Sequence, residues 1–290
     1  MIKTTLLTIL FLLSPYLLLF SQEVTAFTPI KTEDAIINSI DFQTGLEVLR
    51  YQEAGPISNT LSKSEIRNIV GSFNICQEYQ QVQGGIKGIL PLNIYQNTEK
   101  WYANDINFRL NKLDYYWSRI DAYVGYSFKD DYFTVPGTWY TGFRRSESIQ
   151  HRSDFIISGT PQNTKSTAKI QSYGLFIGYK GESTLVETRQ PAWSDNLAPL
   201  ILLDWRLEYH KPIFNRVTDS SIPDALFKDK VGYTTDFKMG STYHITPALS
   251  ATFSIYGGRM YWKGSPWENF GSGPVKWNEN KTDYLGANLG

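Results

Sequence analysis

The chain has 290 residues, with 28 basic and 28 acidic side chains, a single cysteine and a mean hydropathy of −0.31. The even charge balance provides no basic surface for nucleic acid, the lone Cys76 excludes an intrachain disulfide framework, and the low hydropathy excludes a bundle of membrane helices. The 19 Tyr, 16 Phe and 8 Trp are typical of barrels that carry aromatic girdles at membrane interfaces.

The N-terminus has the pattern of a secretory signal peptide. Lys3 precedes an apolar run from Leu6 to Phe20, and polar residues follow at once. A membrane-spanning helix needs about 20 apolar residues, and this run is shorter and contains Pro15. We therefore expect residues 1–22 to be a signal peptide for export, residues 23–39 to form an N-terminal periplasmic segment, and residues 40–290 to form one domain.

That domain is dominated by segments in which apolar and polar residues alternate. The clearest segment runs from Ile201 to Lys211, and others begin near Ile69, Ile120 and Tyr233. Lipid outside a barrel and a polar lumen inside it produce this period of two. The pattern predicts an all-β fold, a single transmembrane antiparallel up-and-down barrel of about ten strands. Those strands are predicted near residues 40–52, 66–79, 82–95, 117–128, 132–145, 169–181, 199–213, 231–245, 249–263 and 281–290.

The predicted connections alternate in length, as they do in outer-membrane barrels. Short turns follow the second, fourth and eighth strands. Longer segments follow the odd-numbered strands and are predicted to be external loops; they cover residues 53–65, 97–116, 146–168, 214–230 and 264–280. The connection at 182–198 is too long for a tight turn and departs from this rule.

Charged residues on the predicted inward faces are the candidate functional residues. In a ten-stranded barrel the bore is narrow and side chains largely fill it, so charges there must find partners. One interpretation is a charge-paired lumen in a structural barrel, and another is a narrow polar pore that selects small solutes. The predicted lumen charge network consists of Glu47, Arg119, Asp121, Asp204, Arg206, Glu208, Asp236, Lys238 and Arg259.

Two further interpretations remain open. Aromatic residues in the predicted loops, among them Trp101, Trp267 and Trp277, could bind a surface ligand, which would make the protein an adhesin or receptor. His210 and His244 fall on inward faces of neighbouring predicted strands and could form a metal or acid–base site. We favour ordinary packing for both sets. We expect no metal, no cofactor and no enzymatic activity, because the sequence contains no Gly-x-Ser-x-Gly motif, phosphate loop or dinucleotide-binding motif.

Several short motifs resemble a known class of proteins. They are Arg50-Tyr51-Gln52-Glu53, Tyr140-Thr141-Gly142-Phe143-Arg144, Leu207-Glu208-Tyr209, Gly257-Gly258-Arg259-Met260-Tyr261-Trp262 and Asp283-Tyr284-Leu285-Gly286. In these the chain resembles uncharacterised outer-membrane β-barrel proteins of Gram-negative bacteria. The resemblance implies an outer-membrane location. It also implies membrane lipid, lipopolysaccharide and the outer-membrane assembly machinery as partners, beside an unidentified surface ligand. Arg144 and Arg145, predicted near the rim, could contact lipopolysaccharide phosphates.

A more distant likeness is to the ten-stranded omptin proteases. Those enzymes carry an Asp-x-Asp pair and an Asp-x-His pair at the outer rim of the barrel. This sequence contains neither pattern, and its nearest equivalent is Glu208-Tyr209-His210. The resemblance therefore implies an omptin-like architecture without omptin catalysis.

Overall fold

A computed structural model describes residues 36–55, 59–128, 137–186, 201–220, 227–228, 231–246, 249–269 and 274–290. The predicted signal peptide lies outside these residues, as does most of the predicted periplasmic segment. The strands are β1 (Ile36–Ala54), β2 (Thr60–Tyr79), β3 (Val82–Ile94), β4 (Asn97–Ala103), β5 (Ile106–Phe128), β6 (Gly137–Ile157), β7 (Thr160–Gln162), β8 (Ser166–Val186), β9 (Ile201–Asp219), β10 (Phe227–Lys228), β11 (Gly232–Thr246), β12 (Leu249–Trp262), β13 (Glu268–Asn269), β14 (Pro274–Val275) and β15 (Asn280–Leu289). None of the described residues form a helix that is long and apolar enough to cross a membrane.

The long strands form a closed antiparallel ring of ten positions, which confirms the predicted fold class. The order around the ring is β1, β2, β3 with β4, β5, β6, β8, β9, β11, β12 and β15, and β15 pairs with β1. β3 and β4 follow one another along a single position, because both pair with β2 on one side and β5 on the other. Ile36 and Leu289 lie at the same end of the ring, called the terminal end below; the opposite end is the far end.

An apolar belt surrounds the terminal half of the ring. On every strand position the outward side chains of this half include exposed large apolar residues, such as Phe42, Ile75, Val124, Leu175 and Met239. The side chains between them point inward and are largely polar or small. Because successive side chains alternate across a strand, the period of two in the sequence corresponds to these two faces.

The wall continues well beyond this belt. β2 has 20 residues and β5 has 23, whereas about 9–11 residues suffice for a tilted membrane strand. Above the belt many outward side chains are polar or charged, as at Arg50, Lys63 and Lys100, which are exposed. Exposed apolar side chains occur there as well, such as Ile106 and Val231 at the far end, so the far half presents a mixed outer surface that is more polar than the belt.

Much of what the sequence predicted as external loops is strand. Residues 97–116 contain β4 and the start of β5, joined by a two-residue turn at Asn104-Asp105, and residues 146–157 belong to β6. Both turn residues have positive φ, 47° and 64°, as a type I′ hairpin turn requires. The loop prediction was wrong here because water outside and a polar interior both accept polar residues, so the alternation disappears although the strand continues.

Candidate functional site: a packed, charge-paired lumen

Arg144 on β6 lies at the centre of the lumen at the height of the belt. Its side chain is 1% exposed. It donates two hydrogen bonds of 2.9 Å to the two carboxylate oxygens of Asp121 on β5 and one of 2.5 Å to Asp236 on β11. It also donates to Glu208 on β9. One guanidinium therefore connects four strand positions through charge-assisted hydrogen bonds, the strong class of such bonds.

Glu208 is the second centre of this cluster. Its carboxylate accepts hydrogen bonds from Lys87 and, at 2.7 Å, from the Tyr140 hydroxyl, and Arg206 Nε lies 3.0 Å from it. Lys87 also lies over the ring of Tyr140, 4.6 Å from its centroid. Arg119 completes the cluster, with its guanidinium 2.9 Å from Asp236. Removing a charge from water is costly unless it is paired, and each of these buried charges has an opposite partner.

We call this set the central ion cluster; it comprises Lys87, Arg119, Asp121, Arg144, Arg206, Glu208 and Asp236. The structure brings together five of the residues proposed from the sequence: Arg119, Asp121, Arg206, Glu208 and Asp236. Lys87 was missed, and the placement of Arg144 near the rim as a lipopolysaccharide contact was wrong, since its side chain is 1% exposed inside the lumen. Their signal was present, because each follows an outward apolar residue, Ile86 or Phe143, and must therefore face inward.

The remaining proposed residues lie elsewhere. Glu47 is buried, but its carboxylate accepts hydrogen bonds from neutral donors, Trp117 Nε1 at 2.6 Å and the Tyr256 hydroxyl at 3.1 Å. Lys238, half-buried on the inward face, donates a 3.3 Å hydrogen bond to Gln43. Asp204 is also half-buried, on the strand next to that of Lys238.

The placement of Arg259 in the lumen was wrong. Its side chain is 47% exposed on the outer wall, where Nε donates a 2.7 Å hydrogen bond to Asp283. On β12 the exposed Phe253 and Ile255 set the outward phase, and Arg259 continues it. Gly257 and Gly258 have no side chains, so the alternation of apolar and polar residues is interrupted just before Arg259. The sequence alone therefore did not show on which face of the strand Arg259 lies. Arg145, unlike the neighbouring Arg144, also faces outward and is 51% exposed.

An apolar layer lies on the far side of the central ion cluster. Inward side chains from several strands form one buried cluster. Its members are Leu49, Tyr51, Ile66, Val70, Ile89, Leu113, Tyr115, Trp117, Tyr256, Met260 and Tyr284. Trp117 and Tyr284 pack with ring centroids 5.3 Å apart. This layer fills the bore with apolar side chains between the ion cluster and the far end.

A second buried ion cluster lies beyond the apolar layer, above the belt. Arg152 donates hydrogen bonds of 2.7 Å to Glu99 and 2.9 Å to Glu53. Glu99 also accepts from Ser62 at 2.5 Å and from Asn111 at 2.8 Å. Burial by itself would raise the pKa of Glu99, but the charge of Arg152 and the hydrogen bonds from Arg152, Ser62 and Asn111 outweigh burial and lower that pKa to about 2.

Two small cavities lie in the lumen between the described residues. A cavity of about 50 Å³ lies between the central ion cluster and the terminal end, and another of about 20 Å³ lies beside Tyr115 and Trp117. A cavity must provide roughly 10–15 Å³ to hold one water molecule. Neither of these two cavities is large enough to be an aqueous channel.

The two histidines proposed as a site do not meet. His210 lies opposite Thr234, whereas Tyr243, next to His244, lies opposite Ile201. Nine residues along a strand correspond to about 30 Å. His210 is fully buried, and the described residues contain no group of His, Cys, Asp and Glu that could hold a metal ion. Glu208 and His210 both face inward at mid-strand rather than lying at an open rim.

Comparison with known proteins shows similarity in fold. No family model matches the chain, and no curated protein matches its sequence. Among solved structures, the chain is similar to the outer membrane protease OmpT from Escherichia coli, with a TM-score of 0.60 and 12% sequence identity over 89% of this chain and 96% of that one. It also matches the translocator domain of the autotransporter NalP from Neisseria meningitidis, with a TM-score of 0.28 and 9% identity over 86% and 88% of the two chains.

Fold and site together define the class. The chain is a ten-position antiparallel β-barrel with an apolar outer belt and a lumen packed by two ion clusters and an apolar layer. It shares its architecture with OmpT, and the similarity at 12% identity concerns the fold.

Proposed function

We propose that the protein is an integral outer-membrane barrel that acts as a closed structural scaffold and holds its tall far half above the membrane. The observation that carries this proposal is the central ion cluster, which fills the bore at the height of the belt with Arg144 bonded to three carboxylates. The even number of wall positions, and the location of Ile36 and Leu289 at the same end of the ring, support a barrel whose terminal end faces the periplasm. Export by a signal peptide, insertion by the outer-membrane assembly machinery and contacts with lipid and lipopolysaccharide belong to the same proposal.

Membrane insertion is tested by refolding the mature chain in detergent. We expect an unboiled sample to migrate faster than a boiled one on a gel and to show a strong β-spectrum by circular dichroism. Folding without detergent, or a helical spectrum, would contradict the membrane proposal, since an exposed apolar belt needs a lipid-like environment.

Closure of the lumen is tested by conductance in planar bilayers. We expect no stepwise conductance from the native barrel and intermittent steps from Arg144→Ala, because that change removes the side chain that fills the centre of the bore. Arg145→Ala is the matched control, since its side chain lies on the outer wall. Regular steps from the native protein would instead support the narrow-pore interpretation.

A surface-binding role is the second candidate, and one observation favours it. Trp267, next to the small β13–β14 hairpin, is 58% exposed at the far end, with Lys276 Nζ 5.5 Å from its ring centroid. Exposed aromatics with a neighbouring cation are common binding residues. Cells that express the protein would then adhere to immobilised fibronectin, laminin or collagen, and Trp267→Ser would abolish adhesion while the heat-modifiable band remains. Trp101 and Trp277, each 7% exposed, are packed and do not serve this role.

We propose no proteolytic activity of the omptin kind. The sequence lacks both omptin residue pairs, and His210 is buried in the lumen. Turnover of a quenched fluorescent casein by the refolded barrel, abolished by His210→Ala, would contradict this.

A further inference from the structure

The 50 Å³ cavity in the terminal half of the lumen has an unusual set of charged neighbours. Its lining includes four cationic side chains, Lys87, Arg119, Arg206 and Lys238. Two carboxylates, Asp41 and Asp236, line it as well. Cations therefore outnumber carboxylates in the lining by two, and Asp121 and Glu208, which pair with Lys87, Arg119 and Arg206, lie just behind it.

The carboxylates of the lining already have donors. Asp236 Oδ2 accepts from Arg144 and lies 2.9 Å from Arg119, and Asp41 accepts a 3.0 Å hydrogen bond from Gln43. Lys238, by contrast, has a neutral hydrogen-bond partner, the side-chain carbonyl of Gln43. Among the described contacts, the Lys238 ammonium thus donates its hydrogen bond to an amide, and the charges of Asp41 and Asp204 act on it as well.

Several buried donors at the cavity make no hydrogen bond with the described residues. They are Arg119 Nε, Arg206 Nε and the hydroxyl of Tyr284, whose side chain is 5% exposed. Arg119 Nε lies 3.7 Å from an oxygen of Asp121, which is too far for a hydrogen bond. Arg206 Nε lies 3.0 Å from an oxygen of Glu208, but its N–H is not aligned with that oxygen. A buried donor without an acceptor is destabilising because it has lost its hydrogen bond to water, so these groups favour an acceptor in the cavity.

We propose that this cavity binds a small inorganic anion of the halide class. Its donors without a described acceptor and the amide-bonded ammonium of Lys238 favour a negatively charged acceptor, and its volume excludes organic anions such as nucleotides or acidic sugars. Asp236 Oδ1 and Asn288 Oδ1 are buried acceptors without a partner there, so water molecules accompany the anion. The halide site lies inside the barrel and is therefore present both in a closed lumen and in a conducting one.

The test uses bromide as the probe and the full mature chain refolded in detergent. Crystals grown in sodium bromide should show an anomalous scattering peak inside the cavity, near Arg206 and Lys238. The temperature at which half of the heat-modifiable band is lost should be higher in sodium bromide than in sodium gluconate of equal concentration. We expect a difference of about 2 °C or more, as a stabilising ligand produces in a chain of this size.

Lys238→Gln tests the assignment of the site, because it removes a lining cation and retains a hydrogen-bonding group. The bromide-dependent difference should disappear in Lys238→Gln and persist in Lys100→Gln, which removes an exposed cation from the outer wall. Equal midpoints of the native protein in the two salts, or bromide peaks at the protein surface alone, would identify the cavity contents as water and overturn the proposal. If Lys238→Gln fails to fold, the two bromide measurements on the native chain decide the matter.

Discussion

Arg144→Met is the sharpest test of the closed lumen. Methionine keeps an unbranched apolar stem but removes the guanidinium that bonds to Asp121, Glu208 and Asp236. After the change, the Asp121 carboxylate still lies 3.9 Å from Lys87 Nζ and 3.7 Å from Arg119 Nε. Both distances are too long for a hydrogen bond. The perturbation therefore leaves a fully buried carboxylate without a hydrogen-bonded cation and weakens the environment of two more.

The expected magnitude follows from this loss of partners. Breaking a buried ion pair by removing one member costs about 3–5 kcal/mol, because the remaining charge is uncompensated. Glu208 retains Lys87, Arg206 and Tyr140, and Asp236 retains Arg119, so most of the cost arises at Asp121. We therefore expect about 3–5 kcal/mol of destabilisation from Arg144→Met, and a smaller loss when Asp121→Asn is added, since that change removes the uncompensated charge.

The free energy of unfolding is measured by urea titration in lipid bicelles, followed by tryptophan fluorescence. Arg145→Met is the matched control; its side chain is 51% exposed and 3.7 Å from Glu147, so we expect a change within about 0.5 kcal/mol. A loss below about 1 kcal/mol for Arg144→Met, or equal losses for the two variants, would refute the assignment of Arg144 as the central partner of the lumen carboxylates.

Three other changes probe the remaining parts of the barrel. Glu99 has a pKa of about 2 when folded and an ordinary value of 4.5, so its carboxylate stabilises the fold fully above pH 4.5. That contribution, about 3 kcal/mol, is lost as the pH falls from 4.5 to 2; urea midpoints measured across this range should fall steeply in the native chain and less so in Glu99→Gln. Trp117→Phe removes the 2.6 Å hydrogen bond to the buried Glu47 and should lower stability by about 1–3 kcal/mol, seen as a lower midpoint of the heat-modifiable band; an unchanged midpoint would show that Glu47 does not need this donor. Arg259→Ala removes an exposed outer-wall pair with Asp283 and should cost less than about 1 kcal/mol; a loss as large as that of Arg144→Met would place Arg259 among the structural charges after all.

Sequence reasoning reached the fold because the barrel imposes a local pattern. Wherever one face of a strand meets the apolar belt, alternation reveals the strand and the inward phase of its residues, as for Asp204, Arg206 and Glu208 on β9. The pattern fails where the belt ends, which is why β4 and the far ends of β5 and β6 were predicted as loops. The turn at Asn104-Asp105 is the local signal that would have located the β4–β5 hairpin.

The sequence by itself determined an all-β chain with about ten alternating segments and charged residues on their inward faces, because these properties depend on neighbours one or two positions apart. The tertiary structure alone decided which charges meet. Arg144 and its three carboxylate partners are 23, 64 and 92 residues apart in the chain, and only the closure and register of the ring bring them together. The same long-range geometry buries Arg144 and exposes Arg145, and it separates His210 from His244. It also leaves a cavity whose charged lining consists of four cations and two carboxylates.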